Sequence, residues 1–143
     1  MPRPIVSTAS TTWKGDLLSG SGQTRLDSSG IASFPVTWKA RAEEHGGITS
    51  PEELIAAAHA TCFSQQLAHL LAQNGTPPTT IATSADVTFV VGSGITGVQL
   101  TTDAAVPGLS ADDFERIAQE AKATCPVSGA LTGTTITLTA SLA

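Results

Sequence analysis

After Pro51 the chain runs to about Gln73 without another glycine or proline, and this stretch dictates most of what the remainder can be. Ser50 can cap a helix start, Pro51 suits the first helical position, and Glu53 can reach back to close a capping box. Asn74-Gly75 is a C-terminal signal, with Pro77-Pro78 beyond it. At 1.5 Å per residue such a helix is roughly 35 Å long, enough to cross a small domain. Ala56, Ala60, Phe63, Leu67, Leu70 and Leu71 form one apolar stripe, and the alanines allow close approach by other elements. The pattern predicts a central, largely buried helix.

The flanking sequence reads mainly as strands. Residues 9–13, 22–26 and 32–40 are rich in Thr, Val, Ile and Trp, with turns at Gly15-Asp16 and Ser28-Ser29-Gly30. On the third of these, Lys39 and Arg41 are two apart and share a strand face. Ser19-Gly20-Ser21-Gly22 looks superficially like a phosphate-cradling loop. No helix start follows it and no Lys stands where such a loop needs one, so it reads as a turn or strand edge. A polar loop over 42–49 precedes the long helix. Strands over 82–91 and 97–106 follow it, joined at Gly92-Ser93-Gly94. Ser110 then caps a second helix, Ala111–Thr124, whose stripe is Phe114, Ile117, Ala118 and Ala121. Cys125-Pro126 opens a short turn or helix to Leu131, and 134–142 alternates as a final strand. The order is strands, helix, strands, helix, strand, which predicts an α+β fold in a single domain over 1–143.

Charged residues make up 13% of the chain and hydrophobic ones 41%, a surface sparing in charge that points to a second copy covering apolar area. The net charge of −5, with Lys14, Arg25, Lys39, Arg41, Arg116 and Lys122 scattered, excludes nucleic acid as a partner. No apolar run approaches the roughly 20 residues of a membrane span, so no membrane partner is expected. Residues 1–10 hold one Arg and no apolar core, which reads as no secretory signal and a cytoplasmic location.

In that compartment Cys62 and Cys125 are not expected to form a structural bridge. Cys62 lies about 100° round the helix from Phe63, at the border of the apolar face. A mid-helix thiol gains little from the helix N-terminus, so a reactive Cys62 needs a nearby cation, for which Lys39, Arg41 and Arg25 are available. Cys125, before Pro126, falls at the N-cap of the turn that follows, where a thiolate is favoured. Local reasoning therefore makes Cys125 the more acidic thiol and leaves open which cysteine attacks. A metal site built on His59-x-x-Cys62 and Cys125 lacks a fourth ligand at a characteristic spacing, since His69 and His45 stand at none. There is no G-x-S-x-G. His59 and His69 read as helix-surface or interface residues. Glu53 is explained by the capping box and the helix dipole, whereas Glu52 has no such task.

The segment Ser50-Pro51-Glu52-Glu53-Leu54-Ile55-Ala56-Ala57-Ala58-His59-Ala60-Thr61-Cys62-Phe63-Ser64 closely resembles the central motif of the OsmC/Ohr family, the osmotically inducible and organic hydroperoxide resistance proteins. Trp13-Lys14-Gly15-Asp16, Ala104-Ala105-Val106-Pro107-Gly108 and Ala121-Lys122-Ala123-Thr124-Cys125-Pro126-Val127-Ser128 match it too, so the resemblance spans essentially the whole chain. It implies an intertwined homodimer, with two long central helices wrapped by antiparallel-rich sheets from both chains. It also implies that Cys62 attacks and Cys125 resolves, against the local N-cap argument. An Arg–Glu pair is implied beside the attacking thiol. The Glu maps to Glu52, and the Arg to Arg41 as in the OsmC-like branch, with Arg25 the lesser candidate.

The activity so implied is thiol-dependent reduction of organic hydroperoxides in oxidative or osmotic stress. Cys62 passes through a sulfenic acid to a Cys62–Cys125 disulfide, which a dithiol reductant, for instance of lipoyl type, reopens. No prosthetic group or metal is required. An apolar wall from Phe63 and neighbours, completed by a second subunit, would favour alkyl hydroperoxides. Two other readings are a binding module gripping an acyl or lipoyl-like ligand with incidental thiols, and a thiol-disulfide oxidoreductase without peroxide reactivity.

Overall fold

The computed structural model describes residues 2–143 and divides into two compact units, one up to Pro51 and one from Glu52 onward. The first unit is an antiparallel sheet in the order β1 (Ala9–Lys14), β2 (Ser21–Leu26), β3 (Ser33–Val36), followed by a short helix α1 (Trp38–Ala42). Trp13 faces Gly22 across the first pair, and Gly22 faces Val36 across the second. The β1–β2 turn is closed by Asp16, whose Oδ1 accepts from the Ser19 N–H at 2.8 Å and from the Ser19 hydroxyl at 2.5 Å. Those two bonds hold the Asp16 carboxyl below the usual carboxylate range. Gly20 must lack a Cβ there, because one would stand 2.2 Å from the Asp16 carbonyl oxygen. The glycine-rich stretch is thus a turn leading into a strand.

Residues 32–40 depart from expectation. The strand stops at Val36, and Lys39 and Arg41 lie on α1. The Thr37 side chain accepts from the Ala40 N–H at 3.2 Å, a helix N-cap that outweighs the β preference of Val36 and Trp38. Two residues apart on a helix is about 200°, so Lys39 and Arg41 point away from each other. Lys39 pairs with Glu44 at 3.8 Å.

The second unit begins with α2 (Pro51–Gln73), whose limits are those read from its sequence. After it come β4 (Thr80–Val90), β5 (Gly94–Ala105), α3 (Ala111–Thr124), α4 (Pro126–Ala130) and β6 (Thr135–Leu142), making a mixed α+β unit. The sheet order is β4-β5-β6, with β4 antiparallel and β6 parallel to β5. A parallel neighbour requires a crossover, and α3 and α4 supply it. Ser110 caps α3, accepting from the Asp113 N–H at 3.2 Å. Phe114, Ile117, Ala118 and Ala121 are buried, as their spacing predicts. They meet Val98, Leu100 and Ala104 of β5 and Phe63, Leu67 and Leu71 of α2 in one core. A hydroxyl chain crosses its edge, Ser64 donating to Thr83 at 2.8 Å and Thr83 lying 3.0 Å from Thr102.

The buried line of α2 is not the alanine stripe. It runs Glu52, His59, Phe63, Leu67, Leu71, while Ala56 and Ala60 are half-buried and Ala57, Ala58, Thr61 and Gln65 are exposed. Four-residue steps carry the ridge from His59 onward. Within one chain, α2 therefore buries one face and shows the other.

Leu67, with no exposed surface, sets the scale of this packing. Leu67→Ala should lower unfolding free energy by about 2–5 kcal/mol, whereas His69→Ala on the exposed face should stay within about 0.5 kcal/mol. Urea denaturation measures both.

Candidate functional site

Three side chains on one face of α2, at positions 59, 62 and 66, reach the corner where α3 gives way to α4. His59 Nε2 lies 2.8 Å from Ser128 Oγ. The Cys125 thiol lies 2.8 Å from Cys62 Sγ and donates to it. Gln66 Nε2 donates to Thr124 Oγ1 at 2.8 Å. The two cysteines, 63 positions apart in sequence, are thus adjacent, and both are free thiols. Cys125 is 1% exposed and Cys62 half-buried, as its border position predicts.

Cys125 is the N-cap of α4 with Pro126 at the first helical position, but its side chain makes no capping bond. The orphan N–H of Val127 in the first turn instead bonds the Cys62 sulfur. The helix-terminal donor that local reasoning assigned to Cys125 serves Cys62. Burial pushes the Cys62 thiol up, Cys125 beside it pushes the same way, and the Val127 N–H opposes both.

His59, expected on the surface or at an interface, is completely buried. The four-residue ridge through Phe63, Leu67 and Leu71 passes through position 59, which a stripe through Ala56 and Ala60 does not include. Nδ1 is buried without a hydrogen-bond partner among the described residues. A buried N–H with no acceptor is costlier than a bare lone pair. The neutral ring therefore keeps its proton on Nε2 and donates to Ser128. Burial lowers the His59 pKa, since the imidazolium would add an unsatisfied donor in a dry site.

The remaining expected residues lie as follows. Glu52 is in the first turn of α2 and 5% exposed. Arg41 is half-buried on α1 of the other unit. Arg25 makes an ion pair with Asp27 at 3.4 Å, its side chain 56% exposed. Phe63 has no exposed surface, so it belongs to the core and not to an open apolar wall. Among the described residues no three His, Cys, Asp or Glu side chains group closely enough to hold a metal ion. Nor, among the same residues, is any helix long and apolar enough to cross a membrane.

Because burial lowers the pKa of native His59 below that of the unfolded histidine, near 6.5, stability should be full above that pH and fall below it. The extra slope is at most one proton, about 1.4 kcal/mol per pH unit. The difference in unfolding free energy between wild type and His59→Gln, measured from pH 8 to 5, should narrow below pH 6.5. The other histidines are common to both proteins, and parallel curves would contradict the assignment.

The family model for OsmC-like protein matches residues 44–140. Peroxiredoxin OsmC of Escherichia coli (strain K12) is 43% identical over 122 residues, covering 83% of this chain and 85% of that protein; Peroxiredoxin OsmC of Shigella flexneri matches equally. Among solved structures, an organic hydroperoxide resistance protein OsmC from Legionella pneumophila superimposes with a TM-score of 0.64 at 22% identity, over 98% of this chain and 99% of that one. An OsmC like protein from Mycoplasma pneumoniae gives a TM-score of 0.73 at 12% identity over 98% and 99%, which is a likeness of fold.

Proposed function

The chain belongs to the OsmC-like protein family, and from that premise we propose that it is a thiol-dependent peroxidase reducing organic hydroperoxides through Cys62 and Cys125. The observation that carries this reading is the 2.8 Å approach of the two sulfurs. Two spectator thiols have no reason to meet from elements so distant in sequence. Names of relatives agree, one being a peroxiredoxin and others organic hydroperoxide resistance proteins.

In this mechanism the Cys62 thiolate attacks one peroxide oxygen, the O–O bond breaks, and the other oxygen leaves as alcohol after taking a proton. Cys62 is then a sulfenic acid. Cys125, losing its proton, attacks that sulfur, water departs, and a disulfide remains. A dithiol reductant, for instance of lipoyl type, restores both thiols by exchange and is itself oxidised to a disulfide. Cys62 is the better attacker because Cys125 is sealed from solvent. The disulfide length is about 2.05 Å, so closure from the 2.8 Å separation needs a movement of about 0.75 Å.

Burial raises the Cys62 pKa, so a working thiolate needs positive charge. We assign that role to Arg41, which also donates hydrogen bonds to the peroxide, with Glu52 holding the guanidinium. A carboxylate as buried as Glu52 requires a polar or cationic partner. Arg25 already has an acidic neighbour in Asp27. The cycle belongs in the cytosol, where dithiols are kept reduced.

A second copy of the chain fits the apolar surface left uncovered. Ile5 (90% exposed), Leu18 (80%) and Ile31 (80%) in the first unit stand in solvent, as does one face of α2. The working form is then a homodimer.

Stopped-flow oxidation by cumene hydroperoxide, with thiols counted before and after, tests the chemistry. Cys62→Ser should abolish peroxide consumption, and Cys125→Ser should complete one turnover and leave a dimedone-trappable sulfenic acid. Arg41→Met should slow the first step about ten- to one-hundred-fold, from loss of a charge-assisted hydrogen bond, with Glu52→Gln costing less. A larger effect for Arg25→Met would move the cation's role to Arg25. Equal rates for wild type and Cys62→Ser would refute the assignment of the attacking thiol. Light scattering at low micromolar concentration should give twice the chain mass, and a monomer would refute the dimer.

A further inference from the structure

The bridges at either side of the thiol pair are unequal. The Gln66–Thr124 bond is exposed, so water can replace it, whereas the His59–Ser128 bond is buried. What the buried bond holds is α4, five residues long and too short to persist as a helix by itself. Ser128 is the residue α4 buries, while Pro126, Gly129 and Ala130 are exposed. Against it lies an open cleft of about 290 Å³, lined by Lys122, Ser128, Gly129, Thr134 and Ile136 among others. Apolar packing holds α4 only at its ends, through Cys125 and Leu131, and the cleft leaves space into which the turn between them can move. Cys125 and the Val127 N–H sit at the N-terminal end of this segment, one to three residues from Ser128.

We propose that His59 and Ser128 form a positioning clamp, which keeps the Cys125 thiol in line with Cys62 for disulfide closure. The proposal rests on the peroxidase reading above and concerns its second chemical step. His59 touches neither peroxide nor sulfur in this role. It donates through Nε2 to Ser128, and Ser128 fixes the helical turn whose first residues carry the resolving thiol. Without the clamp α4 shifts toward the cleft. A misplacement of about 1 Å is enough to cost of order one-hundred-fold in a reaction between prepositioned groups. Peroxide attack occurs on α2 and depends less on α4, which contributes one backbone N–H.

The test is single-turnover oxidation of the full-length protein with cumene hydroperoxide, separating loss of the Cys62 thiol from appearance of the disulfide by timed alkylation and mass spectrometry. Ser128→Ala should slow closure at least tenfold while peroxide attack falls no more than about threefold. Its sulfenic acid should therefore be trapped by dimedone and, in excess peroxide, oxidised on to sulfinic acid. Ser128→Thr keeps the hydroxyl and should close within about twofold of wild type, as should Gln66→Ala. Closure at the wild-type rate in Ser128→Ala overturns the clamp, and so does an equal loss in both steps. If circular dichroism shows Ser128→Ala unfolded, His59→Gln replaces it under the same criteria. Failure of Cys125→Ser to yield any dimedone adduct would instead overturn the peroxidase reading and the clamp with it. A normal adduct there, with unchanged closure in Ser128→Ala, overturns the clamp alone.

Discussion

The second unit hangs on the ridge His59, Phe63, Leu67, Leu71 along one side of α2. Its three lower members join β5 and α3 in the core. Its upper member, a histidine with no exposed surface, reaches a serine on α4. An amphipathic helix so anchored cannot rotate without exposing a phenylalanine and two leucines. Fixing its rotation fixes where position 62 points. Cys62, about 100° from the centre of that ridge, is presented at the margin between core and solvent. A thiol there is partly dry and still reachable.

The same arrangement sets up an electrostatic tension. The dryness that brings the thiols together disfavours charge on Cys62, and within the second unit the Val127 N–H is what opposes it. One backbone donor is a modest counterweight. Glu52, also buried, adds negative charge to the same helix and not positive. In the proposed mechanism the Arg41 guanidinium answers both demands, as a cation for the thiolate and a partner for the carboxylate. This is the physical content of giving Arg41 and Glu52 a joint role.

Much of this was legible in advance because the governing signals are local. Pro51 and Asn74-Gly75 bound α2, and Ser110 with the Phe114 periodicity bounds α3, so both helices have the limits their residues predict. Thr37 is an equally local cap, but it stands among Phe34, Val36 and Trp38, whose β preference predicts a strand where α1 forms. His59 is polar and so falls outside an apolar stripe, although it lies on the buried ridge. The parallel pairing of β5 with β6 leaves no local signature. Adjacency of Cys62 and Cys125 likewise could not come from spacing or periodicity. In the sequence only the resemblance implies it, and in the fold the sulfurs stand 2.8 Å apart.

The parallel register has a consequence for how the molecule is made. Gly97 pairs with Thr135 and Leu100 with Leu138, whereas β4 and β5 meet across a tight turn. Hairpins close early, and a pairing that must first enclose a long loop closes late. Until β6 docks, α3 lacks its contacts with that strand, and the crossover that carries Cys125 is held through α2 and β5 alone. A nascent chain emerging from the ribosome thus carries two sulfhydryls whose final juxtaposition awaits the register of the eight residues of β6.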